Sequence, residues 1–341
     1  MEKKTKLAGV LLIALLIAGC QSSKDEVNSQ TSESSENGSM ESVENDGSAE
    51  DNGANMEPSD KAGTSNADEN KTDVYSGEQK NPNYFIDTHL FDHENNFYTA
   101  YTIQRDEEEE QALSPEKRLE TSLFNNDPSE QDILSSYTDL TFEWPNLLIH
   151  FNEDGNALAA TSAQSNLFFK ALFGISDLYG VKEITFLNPN GEKGMVLAER
   201  SVDESVAVKE ERGFTRGYYT IYDEELGKTF FLPGGELEEQ VVNENDELLS
   251  FRETIEAMSS VDNADAFYSS AIVEGIEILH SSIKNSVATV QYKMDEDIVT
   301  EADRVVFENA IQLAALDFHA WEVEIMNDTL KQSKTYPLIG Q

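Results

Sequence analysis

The chain has 341 residues, with 24 basic against 66 acidic side chains and a formal charge of −42. That balance offers no basic patch to neutralise phosphates and argues against direct nucleic-acid binding. It also sets the chain against an anionic lipid surface, and it suits a salty or alkaline habitat or a cationic partner.

Lys3, Lys4 and Lys6 precede an apolar run from Leu7 to Ala18, which leads to Gly19 and Cys20. A positive start, a short apolar core and small residues at a cut site are the parts of a secretory signal. The run is shorter than the roughly 20 residues a spanning helix needs. Ile17-Ala18-Gly19-Cys20 resembles the lipobox of lipoprotein signal peptidase, with residues 1–19 removed and Cys20 receiving the lipid. Cys20 is the sole cysteine, so no internal disulfide can form. Each buried lipid methylene is worth about 0.8 kcal/mol, and two or more acyl chains give stable anchoring. The expected location is the extracytoplasmic face of the cell membrane.

Residues 20–80 read as the lipidated cysteine followed by an acidic, disordered tether. Between 21 and 80 there are 15 acidic and 4 basic residues and hardly any apolar ones. Such a segment cannot bury enough surface to offset its ordering entropy. Its mean reach is roughly 45 Å, from about 5–6 Å times the square root of its length.

Periodic pattern begins at Tyr84, and two units follow, 81–196 and 217–330, with 197–216 as linker and 331–341 as tail. In the first, strands at Tyr84–Ile86 and Phe97–Tyr101 flank a polar turn. A helix starts at Pro115 with Leu119 and Leu123 inward. Strands follow at Leu140–Trp144 and Leu147–Phe151, then a helix over 162–179 and a strand at Ile184–Leu187. In the second, strands at Tyr218–Tyr222 and Thr229–Leu232 precede a helix over 246–259. Strands at Ile276–Leu279 and Val287–Tyr292 come next, then a helix over 301–317 that buries Ala302, Val305, Val306, Ala310, Leu313 and Ala314. Trp321–Ile325 alternates as the last strand. Phe151 lies 35 residues before Phe186, and Tyr292 lies 33 before Ile325, which favours a duplication. The fold class read from this order is α+β: two tandem ββαββαβ-like units, each a small mixed sheet packed by helices.

The units resemble the GerM-type (GerMN) domain of bacterial lipoproteins. The carrying segments are Leu147–Phe151, the helix to Tyr179 and Gly180–Leu187 with Asn190-Gly191, and in the second unit Ile276–Ile278, Val287–Tyr292, the long helix and Trp321–Ile325. The resemblance implies a fold like that of the ring-building domains of secretion and sporulation assemblies. It also implies non-enzymatic modules that act in sporulation or germination and pack side by side.

No catalytic set or cofactor motif stands out. His89 and His93, with Asp87 and Asp92 near, have metal-ligand spacing only on a helix, and the segment reads as strand and turn. His150, His280 and His319 accompany no nucleophile motif. Asp295-Glu296-Asp297 and Asn152-Glu153-Asp154-Gly155 lack the spacing of a calcium loop, and Asp106–Glu110 is a solvated charge run. Gly234-Gly235 reads as a turn, and Tyr218, Tyr219 and Tyr222 read as a half-buried strand before a binding stripe. Phe168 and Phe169 are the candidates for a docking surface, set against membership of a wide core stripe.

The expected function is a lipid-anchored, non-enzymatic interaction module, with other cell-envelope or sporulation proteins as partners and the membrane reached through the lipid. Peptidoglycan or glycan binding is the alternative, an enzyme the last choice, and nucleic acid is not a partner. Cys20→Ala is expected to leave an unprocessed precursor or to release the protein from the membrane, read by precursor size and membrane fractionation. Processing and membrane retention like the parent's would defeat the lipoprotein reading.

Overall fold

The computed structural model describes residues 74–339 apart from 107, 109, 110, 130, 131, 153–161, 198, 199 and 203. The signal, Ile17–Gly19, Cys20 and most of the expected tether lie outside the described residues. The tether boundary at residue 80 is too late, because Ser76–Gln79 form strand β1, paired in parallel with the last strand of the chain.

A hairpin follows, β2 (Tyr84–His93) and β3 (Asn96–Arg105), whose turn places Glu94 and Asn95 at φ of 51° and 66°. Helix α1 (Pro115–Asn125) starts where Pro115 pre-sets φ and the Ser114 hydroxyl accepts from Lys117 N. Leu119 and Leu123 are buried, as their spacing predicts. After α2 (Ile133–Tyr137) come the hairpin β4 (Thr138–Glu143) and β5 (Asn146–Phe151), then the long α3 (Ser162–Leu178). Strand β6 (Glu183–Leu187) returns parallel to β5. The small hairpin β7 (Met195–Leu197) and β8 (Arg200–Val202) leads to β9 (Ser205–Ala207), antiparallel to β6, and to α4 (Val208–Arg212).

The second repeat opens with the hairpin β10 (Tyr218–Asp223) and β11 (Lys228–Pro233), followed by a 3-10 turn at Gly234–Leu237. Helix α5 (Phe251–Ala257) is shorter than the expected 246–259. Asp246 sits at φ 59° in a turn held by the Asn243 side chain, and the helix begins only at the Ser250–Glu253 capping box. The short β12 (Ser269–Ser270), the hairpin β13 (Ile276–Lys284) and β14 (Val287–Met294), α6 (Glu301–Asp317), β15 (Glu322–Asn327) and β16 (Gln332–Pro337) complete the chain. In α6 the first turns stand clear of the core. Ala302 and Val305 are exposed, against expectation, and Phe307, Ala310, Ile311, Leu313 and Ala314 carry the packing.

The fold is α+β, and the duplication is explicit in its hydrogen bonds. The sheets run β4-β5-β6-β9 and β13-β14-β15-β16, the latter extended by β1. Lys182 N donates to Pro145 O at 2.9 Å, and Trp321 N to Ser286 O at 2.8 Å. Val208 N donates to Lys182 O at 3.0 Å, and Leu338 N to Trp321 O at 2.8 Å. Both long helices end in the same left-handed stop, at Gly180 (φ 82°) and His319 (φ 53°), with Val181 N to Ser176 O and Ala320 N to Ala315 O each at 3.0 Å. Beyond the expected strands, each repeat's main sheet gains an antiparallel last strand, β9 and β16, and the short strands β7, β8 and β12 are further additions. The stretch taken as tail therefore holds a sheet strand followed by buried Leu338 and Ile339.

The first hairpins of the two repeats join in one sheet, β12-β10-β11-β3-β2, with β3 and β11 antiparallel through Tyr101 and Phe231. A single hydrophobic cluster includes Phe151 and Phe186 of the first repeat and Tyr292 and Ile325 of the second. The expected independent units and exposed linker are thus replaced by a shared sheet and core. Residues 197–216 are built into this fold, with Val208 fully buried. Phe168 and Phe169 are 2% and 4% exposed, so they belong to the core and leave the docking hypothesis.

Tyr101, at the meeting of the hairpins, lies against α3 at Gly174, where an added Cβ would sit 1.9 Å from its hydroxyl. Alanine would improve helix propensity by about 1 kcal/mol. Overpacking typically costs about 1–3 kcal/mol, and neither a buried ring nor a helix backbone yields easily. Gly174→Ala is expected to lower stability in urea unfolding despite the propensity gain; a stabilised variant would show that Tyr101 can move aside.

Candidate functional site

One hollow lies where the β2–β3 turn faces the 3-10 turn after β11 and the loop before β12. It is a cleft of about 570 Å³. The β2–β3 turn projects His93 and Glu94, the 3-10 segment supplies Glu236, Glu238 and Glu239, and the loop brings Asp262, Asp265 and Phe267. The His93 ring stacks on Phe267 at 4.0 Å, and Tyr98 lies 5.1 Å from the same ring. Buried Glu239 accepts from the Tyr268 hydroxyl at 2.6 Å, fixing the loop against the turn. Burial, followed by that hydrogen bond and the charge of Glu239, pushes the Tyr268 hydroxyl pKa upward. Glu236 is also pushed up, by burial first, opposed by Lys170 of α3, whose Nζ lies 3.8 Å away. The lining side chains include no serine, cysteine or lysine nucleophile. Carboxylates beside aromatic faces suit contact with a cation.

The second concentration of charge is buried between the repeats. Arg212, at the end of α4, reaches Asp177 of α3 at 2.7 Å and Asp317 of α6 at 3.2 Å, and donates to the Tyr218 hydroxyl at 2.8 Å. Its side chain is 4% exposed and its guanidinium lies 5.4 Å from the Tyr101 ring centre. Burial works against the Arg212 charge, but Tyr218, Asp317 and Asp177 outweigh it and hold the pKa well above the ordinary value. Asp317 is shifted up, by burial first, although Arg212 opposes the shift.

The residues singled out in the sequence scatter. His89 and His93 share one side of β2, but His89 lies 3.3 Å from Asp223 and stacks on Phe230, while His93 turns to the cleft. Among the described residues, no group of three or more His, Cys, Asp or Glu could hold a metal ion. His150 stands on β5 with Nε2 buried, and His280 on β13 faces Ser282 Oγ at 3.1 Å. His319 takes the left-handed stop of α6, and burial lowers its pKa. Asp295 Oδ1 accepts from Asp297 N at 3.0 Å in a local turn, while 153–155 lie outside the described residues. Gly234 and Gly235 allow close backbone approach, since a Cβ on Gly235 would lie 1.7 Å from Phe214 O. Adjacent Tyr218 and Tyr219 are both buried, so β10 is covered on both faces at its start, while Tyr222 towards its end is 61% exposed. The sequence reading missed Arg212 and the Glu239–Tyr268 pair; Arg212 is one of several basic residues in a polar stretch expected to be linker, and nothing local distinguishes it from Lys209 or Arg216.

Removing Arg212 would leave two aspartates buried without their partner, a change that costs about 3–5 kcal/mol. Arg212→Met is therefore expected to lower the urea midpoint sharply. The raised Asp317 pKa makes this group favour the folded state below its unfolded value and lose that contribution as pH rises through the folded value. Asp317→Asn should remove that part of the pH dependence, followed by urea unfolding across the acidic range. A parent-like pH profile in that variant would contradict the assignment.

No protein-family model matches the chain, and no curated protein matches it. Among solved structures, the chain is similar to the tandem GerMN domains of the sporulation protein GerM from Bacillus subtilis. The identity is 9% and the TM-score 0.42, over 75% of this chain and 97% of that one.

Proposed function

We propose that the chain is an extracytoplasmic, lipid-anchored module that binds other cell-envelope proteins without catalysis, in sporulation or spore germination. The observation that carries the binding part is a pair of open sheet edges at equivalent places in the two repeats. The starting half of the β2 edge is blocked by α1: Ser122 Oγ accepts from Ile86 N at 3.0 Å, and Asn126 bonds both Thr88 N and Ile86 O. The β16 edge is covered by β1. Among the described residues, β4 and β13 pair on one side only, as β1, β9 and β12 also do, and β4 and β13 hold equivalent places in the two repeats. Open edges offer unpaired backbone groups to a partner strand. The lipobox supports the anchor, and the GerM-type pattern in Leu147–Leu187 and Ile276–Ile325 supports the cellular role.

The test places a photo-crosslinking residue at Thr141 on β4 or Leu279 on β13, with Leu226 in the exposed β10–β11 turn as control. Defined adducts in cells at both edges and none at Leu226 are expected. Equal labelling at Leu226 would reject the edges as the docking surface. Loss of the gene should also impair spore formation or germination in a host that forms spores.

Glycan binding is the second reading, favoured by Trp144 and Trp321, which are 41% and 48% exposed. Sedimentation with peptidoglycan that is lost in Trp144→Ala or Trp321→Ala would favour it over the first.

A further inference from the structure

The β16 edge is guarded by a four-residue strand from the far end of the chain, paired Ser76 to Gln332 through Gln79 to Thr335. All four β1 residues are exposed, and nothing lies within 4 Å of a Cβ added at Gly77. The strand is held instead by backbone bonds, Ser76 N to Lys331 O and Lys80 N to Thr335 O, each 2.9 Å, and by one side chain just ahead of it. The Tyr75 hydroxyl donates to Asp328 Oδ1 and accepts from Gln291 Nε2 at 3.1 Å. Lys331 Nζ lies 3.2 Å from Asp328 and 5.4 Å from the centre of the Tyr75 ring. Asp328, Gln291 and Lys331 thus form a receptor for one phenol at the head of a strand-wide slot.

Immediately after β1 the chain is fixed. Asn81 O and Pro82 O accept from Arg105 and Arg118, and the buried Asn83 side chain bonds Gln111 O and Leu113 N. Tyr75–Gln79 is therefore a strap with a firm root and a weakly packed body.

We infer that the outer edge of β16 is a strand-acceptor site, that Tyr75–Gln79 is its resident occupant, and that the same segment of a second copy can take its place. The phenol receptor and the parallel register are built for this segment, so a second copy offers the same contacts. Exchange conserves the strap's own bonds to the edge and to the phenol receptor, at the cost of a redirected turn at the root and of the high local concentration that the short root gives the chain's own strap. Exchange is therefore a minor state in dilute solution and grows wherever copies are crowded. A reciprocal exchange closes a pair, whereas a one-way exchange continues a row. The inference rests on the β16 edge alone and does not depend on β4 or β13.

The test uses the full chain with Cys20→Ala, so that introduced thiols are the only ones. Ser76→Cys and Gln332→Cys sit at exposed, register-matched positions. Together in one chain they should oxidise to an internal cross-link. As two singly substituted proteins mixed at high concentration, they should give the mixed dimer in several-fold excess over either self-dimer. A synthetic peptide spanning 74–80 should suppress that excess. The inference is overturned if the double variant fails to close internally, if mixed dimers do not exceed self-dimers, or if the peptide leaves the mixed product unchanged.

Discussion

Two long helices end against each other in this molecule, and one guanidinium makes that possible. Helices α3 and α6 carry no basic residue in their last turns, yet each places an aspartate there, Asp177 and Asp317. A helix C-terminus already bears partial negative charge, so both ends and both carboxylates repel. Arg212 offsets that repulsion from the middle, and Tyr218 completes its hydrogen bonding. A buried pair contributes little net stability compared with apolar packing, but it is demanding about position. The position it demands is the junction at which the shared sheet can form through Tyr101 and Phe231.

The same junction gathers other cations. Arg105 of β3 donates to Gln312 at 2.8 and 3.0 Å and to Pro337 O at 2.9 Å, both in the second repeat. Arg118 of α1 donates to Leu338 O at 3.2 Å and lies 4.5 Å from the Tyr84 ring centre. Arg216 sits 4.1 Å from the Phe318 ring centre. Four of the seven arginines in the chain thus join the repeats. Planar, persistently charged guanidinium groups suit such mixed contacts with carbonyls, amides and rings.

The elements legible in the sequence were those whose local signals agreed. Helix α6 combines the Thr300–Asp303 capping box with apolar spacing, and its expected limits matched the observed ones. Strands β5 and β14 alternate cleanly. The misses share a cause. Ser76–Gln79 and Gln332–Pro337 contain little apolar pattern, because the outermost strand of a sheet and the one beside it can be specified by their neighbours more than by their own residues. The joining of two distant hairpins leaves no periodic trace in either one. The cleft was invisible for a similar reason, since its lining joins residues 93–98 to two segments more than a hundred residues further along the chain, 236–239 and 262–268. Phe168 and Phe169 show the opposite limit: a helix packed on several sides has a wider apolar stripe than the spacing of its central row suggests.

This division of charge bears on how the molecule meets its surroundings. Drawing arginines inward leaves an outer surface dominated by carboxylates, on a chain of −42. Exposed charges are screened within about 8–10 Å at physiological ionic strength, whereas buried groups are screened far less. Added salt therefore relaxes repulsion across the exterior and between copies while leaving the Arg212 junction nearly untouched. Edge strands gain from this separation, because like charge keeps copies apart in dilute, low-salt conditions and yields where ionic strength or crowding is high. The acidic exterior then acts as a guard on open backbone edges, a role that lysines and prolines play in many sheets, and the interior junction fixes the repeats under either condition.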